Sequence, residues 1–276
     1  MNIGIIGQGY VGTAIKLGFE PHYNVLTYDK FDLAKSTHSK ISDLVEESKV
    51  IFVCVPTPMR KDGTCYTGIV EEVIREINET ADDHIIVIKS TIPPGTTDRI
   101  NQEYTHSTVI FNPEFLTEEN FLEDFKNQKR IILGGDRKGT NKLRQIYSKV
   151  FPNATIVKTG SNTAEMVKYF TNTFLATKVS FANEMYSVCE QIGIDYDKVV
   201  EYAIYDERLG KSHWAVPGPD GDYGFGGHCF PKDLSAIINE FNTYGLLEAV
   251  EEVNNQVRED RDWEHMVGRA VLEEEE

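Results

Sequence analysis

A chain of 276 residues has room for one large domain or two modest ones, and its 40% hydrophobic and 26% charged content is that of a folded protein with a core. Its 28 Lys and Arg stand against 44 Asp and Glu, a formal net charge of −16. That balance excludes a broad nucleic-acid footprint, which needs a basic face, but leaves open a local phosphate pocket built from backbone amides. No apolar run approaches the length of a bilayer span, so no membrane partner is expected. The opening residues 1–7 lack the basic start and cleavage site of a signal peptide, which makes the cytoplasm the default location.

The first part of the chain alternates short apolar runs with amphipathic stretches. Residues 3–6, 25–28, 50–55, 85–88, 109–111 and 131–133 are rich in Ile and Val and bounded by turn residues, as buried strands are. Helical patterns over 11–19, 68–80 and 140–150 lie among them. Strands interleaved with helices predict an α/β, Rossmann-like domain: a doubly wound parallel sheet over residues 1–158. From Asn162 to Ile192 runs one long helical pattern closed by Gly193, with Asn162 and Glu165 as its start signal. It opens an α-helical second domain over 159–276. Phe170, Phe174, Phe181, Met185, Val188 and Ile192 recur there at helical spacings, too much apolar surface for a small monomer to cover, so a homodimer through this helix is expected. A Gly- and Pro-rich loop follows over 217–227, then helical and increasingly polar sequence. Residues 273–276, all Glu, are expected to be solvated and disordered.

Gly7-Gln8-Gly9-Tyr10-Val11-Gly12 follows the first strand and opens a helix. Glycines at these positions permit a tight turn, close approach of a pyrophosphate, and close helix–strand packing. Asp29 ends the next strand, where a carboxylate accepts hydrogen bonds from ribose hydroxyls and repels a 2′-phosphate. NAD is therefore expected over NADP.

The four cysteines, Cys54, Cys65, Cys189 and Cys229, form no CxxC pair, so neither a disulfide framework nor a zinc site is expected. Three read as small buried hydrophobes, Cys65 within a loop. Cys229 differs. In the string Gly224-Phe225-Gly226-Gly227-His228-Cys229-Phe230-Pro231-Lys232-Asp233 the glycines before it leave its sulfur room for a ligand, and the ammonium after it favours the thiolate. Thiol, amine and carboxylate in one short loop suit covalent catalysis on a carbonyl. Glu165, Lys168 and Asn172 lie on one helical stripe, an arrangement that on spacing alone is more often a solvated face than a site.

Taken together, these stretches resemble the UDP-glucose/GDP-mannose dehydrogenase family. The match includes Val55-Pro56-Thr57-Pro58, Lys89-Ser90-Thr91-Ile92-Pro93-Pro94-Gly95-Thr96, Asn112-Pro113-Glu114-Phe115-Leu116 and the segments around Lys168 and Cys229, in family order to about residue 240. The resemblance implies two successive NAD-dependent oxidations of a sugar C6 alcohol to a carboxylate. UDP-glucose is the first choice of substrate; UDP-N-acetylmannosamine, GDP-mannose or a smaller sugar alcohol are the alternatives. It implies that Cys229 forms a thiohemiacetal and then a thioester, that Lys168 and Asn172 stabilise oxyanions, and that Asp233 and Glu118 handle water. Thr91 would help to position that water near the cofactor. Lys30, Pro56, Thr57, Thr91 and Glu118 join the glycine turn and Asp29 as cofactor contacts. Glu114, Phe115, Leu116, Phe225, Gly226 and Lys232 would meet the substrate, with Arg208 and His213 in the loop facing its phosphates. Family members continue into a second nucleotide-binding domain, which a chain ending at Glu276 is expected to lack; a separate subunit supplying it, a different substrate, or loss of the domain together with the activity are the three alternatives. A catalytically silent NAD-binding subunit is the reading from another class, and a silent copy has no chemical need for Cys229, Lys168, Asn172 and Asp233 together.

Overall fold

The Ile- and Val-rich runs assemble into one seven-stranded sheet in the computed structural model, which describes residues 1–272. The expected solvated tail at 273–276 lies outside the described residues. The strands are β1 (Asn2–Ile6), β2 (Asn24–Tyr28), β3 (Val50–Val53), β4 (Ile85–Ile88), β5 (Thr108–Phe111), β6 (Arg130–Gly134) and β7 (Thr155–Thr159), in the order β2-β1-β3-β4-β5-β6-β7. Helices α1 (Tyr10–Phe19), α2 (Ile41–Glu47), α3 (Gly68–Thr80), α4 (Thr96–Glu103), α5 (Phe121–Lys126) and α6 (Arg137–Val150) alternate with them. Strands β1 to β4 are buried along most of their length because helices cover both faces. In α3, Val70, Val73, Ile74 and Ile77 fall on one stripe and are buried, each contributing roughly 1.5–3 kcal/mol of apolar transfer.

Two features depart from the expected parallel sheet. Strand β6 meets β5 antiparallel, through the single pair Phe111↔Gly134, while β6, α6 and β7 form their own parallel crossover unit. The direction of β6 depends on how the chain returns through α5, and no local residue pattern encodes that. Strand β7 was not anticipated. It is an edge strand with a largely exposed face and Lys158 on it, so it lacks the continuous apolar run of its neighbours.

The chain divides into two compact units. Unit 1 comprises Met1–Thr57 and Thr67–Lys168, and contains the sheet. Its core is two apolar clusters, one centred on Ile51, Ile74 and Phe111 and the other on Phe19, Phe52 and Tyr147. Unit 2 comprises Pro58–Tyr66 and the chain from Tyr169 onward. It holds most of α7 (Ser161–Ile192), then α8 (Tyr196–Ala203), α9 (Phe230–Glu240) and α10 (Leu246–Val257). The Pro58–Tyr66 segment is tied there by Met59 N to the Ala270 carbonyl and Leu272 N to the Met59 carbonyl, both at 2.8 Å. Cys65 N adds a bond of 2.9 Å to the Glu240 carboxylate.

Helix α7 begins at Ser161 and is amphipathic in an inverted sense. Glu165, Lys168, Asn172, Ser180 and Asn183, recurring on one side, are buried, whereas Phe170, Phe174, Phe181, Val188 and Ile192 share one stripe and are exposed. The stripe of Glu165, Lys168 and Asn172 is therefore no solvated face. Glu165 does not serve its own helix start either. Its carboxylate accepts from Gly95 N at 2.7 Å and Thr97 N at 2.9 Å, capping the otherwise unpaired amides at the start of α4. Burial raises its pKa in spite of those amides.

Candidate active site

In unit 1 the glycine turn has the geometry its spacing predicts. Gly7 sits at φ 93°, in the left-handed region, and donates to the Tyr28 carbonyl at 2.8 Å. A Cβ at Gly12 would strike the Gly7 carbonyl oxygen, which accounts for the third glycine; a Cβ at Gly9 would meet nothing, so the space over the turn is open. Asp29, at the end of β2, accepts from Gln8 N at 2.7 Å through one oxygen and from Phe31 N and Asp32 N at 2.9 Å through the other. An open cradle at the N-terminus of α1 and a carboxylate seated beside it fit a dinucleotide without a 2′-phosphate. Lys30 is exposed, and the Tyr10 ring meets Phe121 edge-on at 6.1 Å. Thr57 is buried and donates to the Thr91 carbonyl at 2.8 Å, which joins the Pro56-Thr57 and Ser90-Thr91 stretches.

A buried ionic node lies in the same unit. Lys168 donates to Glu114 Oε1 at 2.9 Å, and Glu114 Oε2 accepts from Leu116 N at 2.7 Å. Both charged side chains are almost wholly buried, so the pair holds its geometry by satisfying both groups rather than by adding net stability. Next to it, Lys89 donates to Asn112 Oδ1 at 3.1 Å and to the Pro113 carbonyl at 3.4 Å. Burial brings its ammonium down to about 8, with Cys54 and Glu114 opposing. Tyr147 also donates to Asn112 Oδ1, and Asn112 Nδ2 donates to the Ile132 carbonyl at 2.8 Å. A cavity of about 390 Å³ opens beside this node, lined by Val11, Lys89, Glu114, Phe115 and Leu116 among others. The Arg130 guanidinium covers the Phe115 ring at 4.4 Å.

In unit 2, Cys229 is the N-cap residue of α9, and its carbonyl accepts from Asp233 N at 3.0 Å. The next helical turn brings Lys232 and Asp233 into a buried pair: Lys232 Nζ bonds one Asp233 oxygen, and Asn172 Nδ2 donates to the other at 2.6 Å. Burial lowers the Lys232 pKa, but the Asp233 carboxylate and the thiols of Cys65 and Cys229 outweigh it, leaving the ammonium above its ordinary range. A half-buried thiol at a helix N-terminus, beside a fixed cation and a carboxylate held at both oxygens, can add to a carbonyl and manage a proton. Cys65 is buried with Tyr169 and Ala236, as a small apolar residue would be, and burial pushes its thiol up to about 11.

The remaining candidates are more dispersed. Glu118 is exposed, and Thr91 is buried. Arg208 is exposed and forks onto Asp206 two residues away. His213 is half-buried at φ 66°, its ring 5.8 Å from that of Phe230. Phe225 is buried, and Gly226 lies against Arg258 and Asp262. Lys89, Asn254, Arg258 and Asp262 join the candidates only in the folded chain. Lys89 carries a local signal, a lysine directly after the apolar strand β4, but the other three carry none.

Residues 19–151 match the NAD-binding domain model, and residues 162–256 the central domain model, of the UDP-glucose/GDP-mannose dehydrogenase family. A UDP-glucose 6-dehydrogenase of Haloferax volcanii is 31% identical over 92% of this chain and 70% of its own length. Among solved structures, a UDP-glucose dehydrogenase from the hyperthermophilic archaeon Pyrobaculum islandicum superposes with a TM-score of 0.82 at 30% identity, covering 93% of this chain and 67% of that one. A GDP-mannose dehydrogenase of Pseudomonas aeruginosa does so with a TM-score of 0.70 at 27% identity, covering 93% and 69%. The chain thus spans about two thirds of the length of these relatives. No helix among the described residues is long and apolar enough to cross a membrane.

Proposed function

We propose that this chain, which belongs to the UDP-glucose/GDP-mannose dehydrogenase family, oxidises the C6 alcohol of UDP-glucose to the carboxylate in two NAD-dependent steps. The observation that carries this reading is Cys229 at the start of α9, with Lys232, Asp233 and Asn172 locked together one turn on. Hydride acceptance is the chemistry that bound NAD supplies, once for each two-electron oxidation. The glycine turn and Asp29 hold the dinucleotide, with Lys30, Pro56, Thr57, Thr91 and Glu118 as further contacts.

Everything else falls to side chains. The alcohol loses a proton and a hydride to become an aldehyde. The Cys229 thiolate, favoured by the helix N-terminus and Lys232, adds to the aldehyde carbon. Loss of a second hydride converts that thiohemiacetal to a thioester; water then adds to the acyl carbon and the thiolate leaves. Lys168 stabilises the oxyanions, with Asn172 as a second donor, and Asp233 takes the proton of the attacking water. Glu118 and Thr91 position water. Glu114, Phe115, Leu116 and Phe225 meet the sugar nucleotide, the Gly226 backbone lying beside it, with Arg208 and His213 toward its phosphates. The likeness to a GDP-mannose dehydrogenase supports a second reading, in which the chemistry is the same on another nucleotide sugar.

The test is NADH production from UDP-glucose with the product identified, beside a Cys229→Ser variant. About two NADH per uronate, lost in the variant, is the expected result, because a four-electron oxidation consumes two acceptors. No NADH from UDP-glucose in protein that binds NAD would overturn the substrate, and a panel of nucleotide sugars would judge the second reading.

We also propose a homodimer through α7. Phe170, Phe174 and Ile192 are 69%, 59% and 64% exposed on one stripe, and isolated monomers rarely leave such a patch uncovered. Light scattering is expected to return twice the 31.3 kDa chain mass; a clean monomer would overturn it.

A further inference from the structure

The loop before Cys229 is fixed by residues that have no part in the chemistry described above. Asn254, on the last turn of α10, brackets Phe225: its Oδ1 accepts from Phe225 N at 2.7 Å and its Nδ2 donates to the Phe225 carbonyl at 3.0 Å. One turn later, Arg258 is only 3% exposed at its side chain and faces three carboxylates, Asp220 at 2.7 Å, Asp262 at 3.3 Å and Asp222 at 3.6 Å. It also donates to the carbonyls of Asp260 at 2.7 Å and Tyr223 at 3.4 Å. Asp262 passes the connection on, both of its oxygens accepting from Gly227 N at 3.0 Å. From the other side, Asn183 Oδ1 accepts from Gly224 N at 3.1 Å.

These contacts also explain the glycines. A Cβ at Gly224 would strike the Asn254 amide, and one at Gly226 would strike the Arg258 guanidinium and the Asp262 carboxylate. At these two positions the space that the sequence suggested for a ligand is filled by Asn254, Arg258 and Asp262.

We propose that Asn254 and Arg258, acting with Asp262, are positioning residues for Cys229: they set the backbone path over residues 224–227 and so the presentation of the thiol at the start of α9. The proposal rests on the reading of Cys229 as the nucleophile. Arg258 suits the task because a guanidinium presents five donors in a fixed planar fork, where an ammonium has three on a single nitrogen. The single charge of Arg258 offsets part of the repulsion among three carboxylates gathered beside the loop, and one of the three, Asp262, holds the Gly227 amide. Cutting the connection would leave the fold of α9 in place and loosen only the approach to it.

The experiment compares wild type with Arg258→Gln, Arg258→Lys and Asp262→Ala in the full chain. Amide hydrogen exchange over residues 224–227 is expected to quicken about tenfold or more in Arg258→Gln and Asp262→Ala, as follows when a buried donor loses its acceptor. Alkylation of Cys229 by iodoacetamide, located by peptide mass, is expected to change about threefold or more in rate, since thiol access and thiolate character both depend on the loop. With UDP-glucose, kcat is expected to fall about tenfold while the KM for NAD stays as it was, a loss confined to interactions made at the reacting carbon. Arg258→Lys, which keeps charge without the fork, should recover only part of each effect. Unchanged exchange over 224–227, or quickened exchange with unchanged alkylation and kcat, would overturn the proposal. Should Arg258→Gln fail to fold, Asp262→Ala decides, because Asp262 is partly exposed and its loss leaves Arg258 with Asp220 and Asp222. The exchange and alkylation measurements need no substrate. Wild type that oxidises no nucleotide sugar therefore counts against the proposed reaction, while those two measurements still judge the positioning.

Discussion

The two units solve the same problem, holding a few reactive groups still, by different means. In unit 1 the order is apolar: Phe19, Phe52 and Tyr147 interlock edge to face on one side of the sheet, and Ile51, Val70, Ile74 and Phe111 pack on the other. In unit 2 the apolar clusters are small, one of them only Ala176, Phe225, Leu234 and Val250 at its buried centre. The loop carrying Cys229 is set instead by Asn183, Asn254, Arg258 and Asp262. Apolar packing makes a stiff platform on which a dinucleotide turn can rest. Directional hydrogen bonds specify one path for a glycine-rich loop that has few side chains to pack.

Substitutions can break this contrast. The largest effect is expected from Phe19→Ala, which removes a fully buried ring at 5.4 Å from Tyr147 and 5.6 Å from Phe52. It should cost about 3–5 kcal/mol, read from urea unfolding followed by far-UV circular dichroism. A loss below about 1 kcal/mol, which would imply near-complete collapse of the site, would mean that unit 1 is not held by this cluster. In unit 2 the matching cut is polar. Asn254→Ala removes little apolar contact but strands the amide and the carbonyl of Phe225, and should cost about 2–4 kcal/mol. Both tryptophans, Trp214 and Trp263, belong to unit 2, so their emission reports this loss directly.

The same contrast explains what the sequence disclosed. Strands β1 to β5, the glycine turn and Asp29 were legible because periodicity and backbone demand are local: Gly12 is a glycine on account of Gly7, five positions back. Cys229 was legible because thiol, lysine and carboxylate stand in one string. What stayed hidden is non-local. Glu165 reads as a start signal for α7, yet it caps α4 from far along the chain. Gly224 and Gly226 read as room for a ligand, and their true neighbours, Asn254 and Arg258, lie beyond α9. The Pro58–Tyr66 segment looks like a loop between β3 and α3 and is built into the other unit. The reversal of β6 and the exposed edge strand β7 left no apolar signature to read.

A smaller effect, in pH, separates Lys89 from its apolar surroundings. Burial brings its ammonium to about 8, whereas in the unfolded chain it keeps its ordinary value near 10.5. Between those values the unfolded state binds the extra proton, so stability rises with pH through this window. Cys54 works the other way, since burial pushes its thiol from 9.0 to about 12, and stability falls across that range. Between pH 8 and 9 the lysine should add about 1 kcal/mol, of which the onset of the Cys54 and Cys65 thiols, both raised by burial, takes back roughly 0.7. Lys89→Met is expected to replace that small net rise with a fall of roughly 0.7 kcal/mol over the same interval. Urea midpoints at pH 8 and 9 for both proteins measure it, and an undiminished rise in the variant would assign it to another group.

The smallest effect compares one device in the two units. Asp136 caps α6 in unit 1 through a bond of 2.6 Å to Gly139 N, and Asp195 caps α8 in unit 2 through one of 3.2 Å to Lys198 N. Both were within reach of the sequence, since a carboxylate three residues before the amide it serves is a local pattern. They differ in what stands behind them: α6 packs Leu143, Ile146 and Tyr147 into the core, whereas α8 buries Tyr196 alone. A short cap on a well-packed helix holds a turn that is already ordered, while a long, solvated one competes with water. Asp136→Ala should therefore cost about 1 kcal/mol and Asp195→Ala a few tenths of that. The first is read from circular dichroism and the second from tryptophan emission. Equal losses would show that the cap itself, and not the packing behind it, sets the value, and the division between an apolar unit and a polar one would then not extend to helix ends.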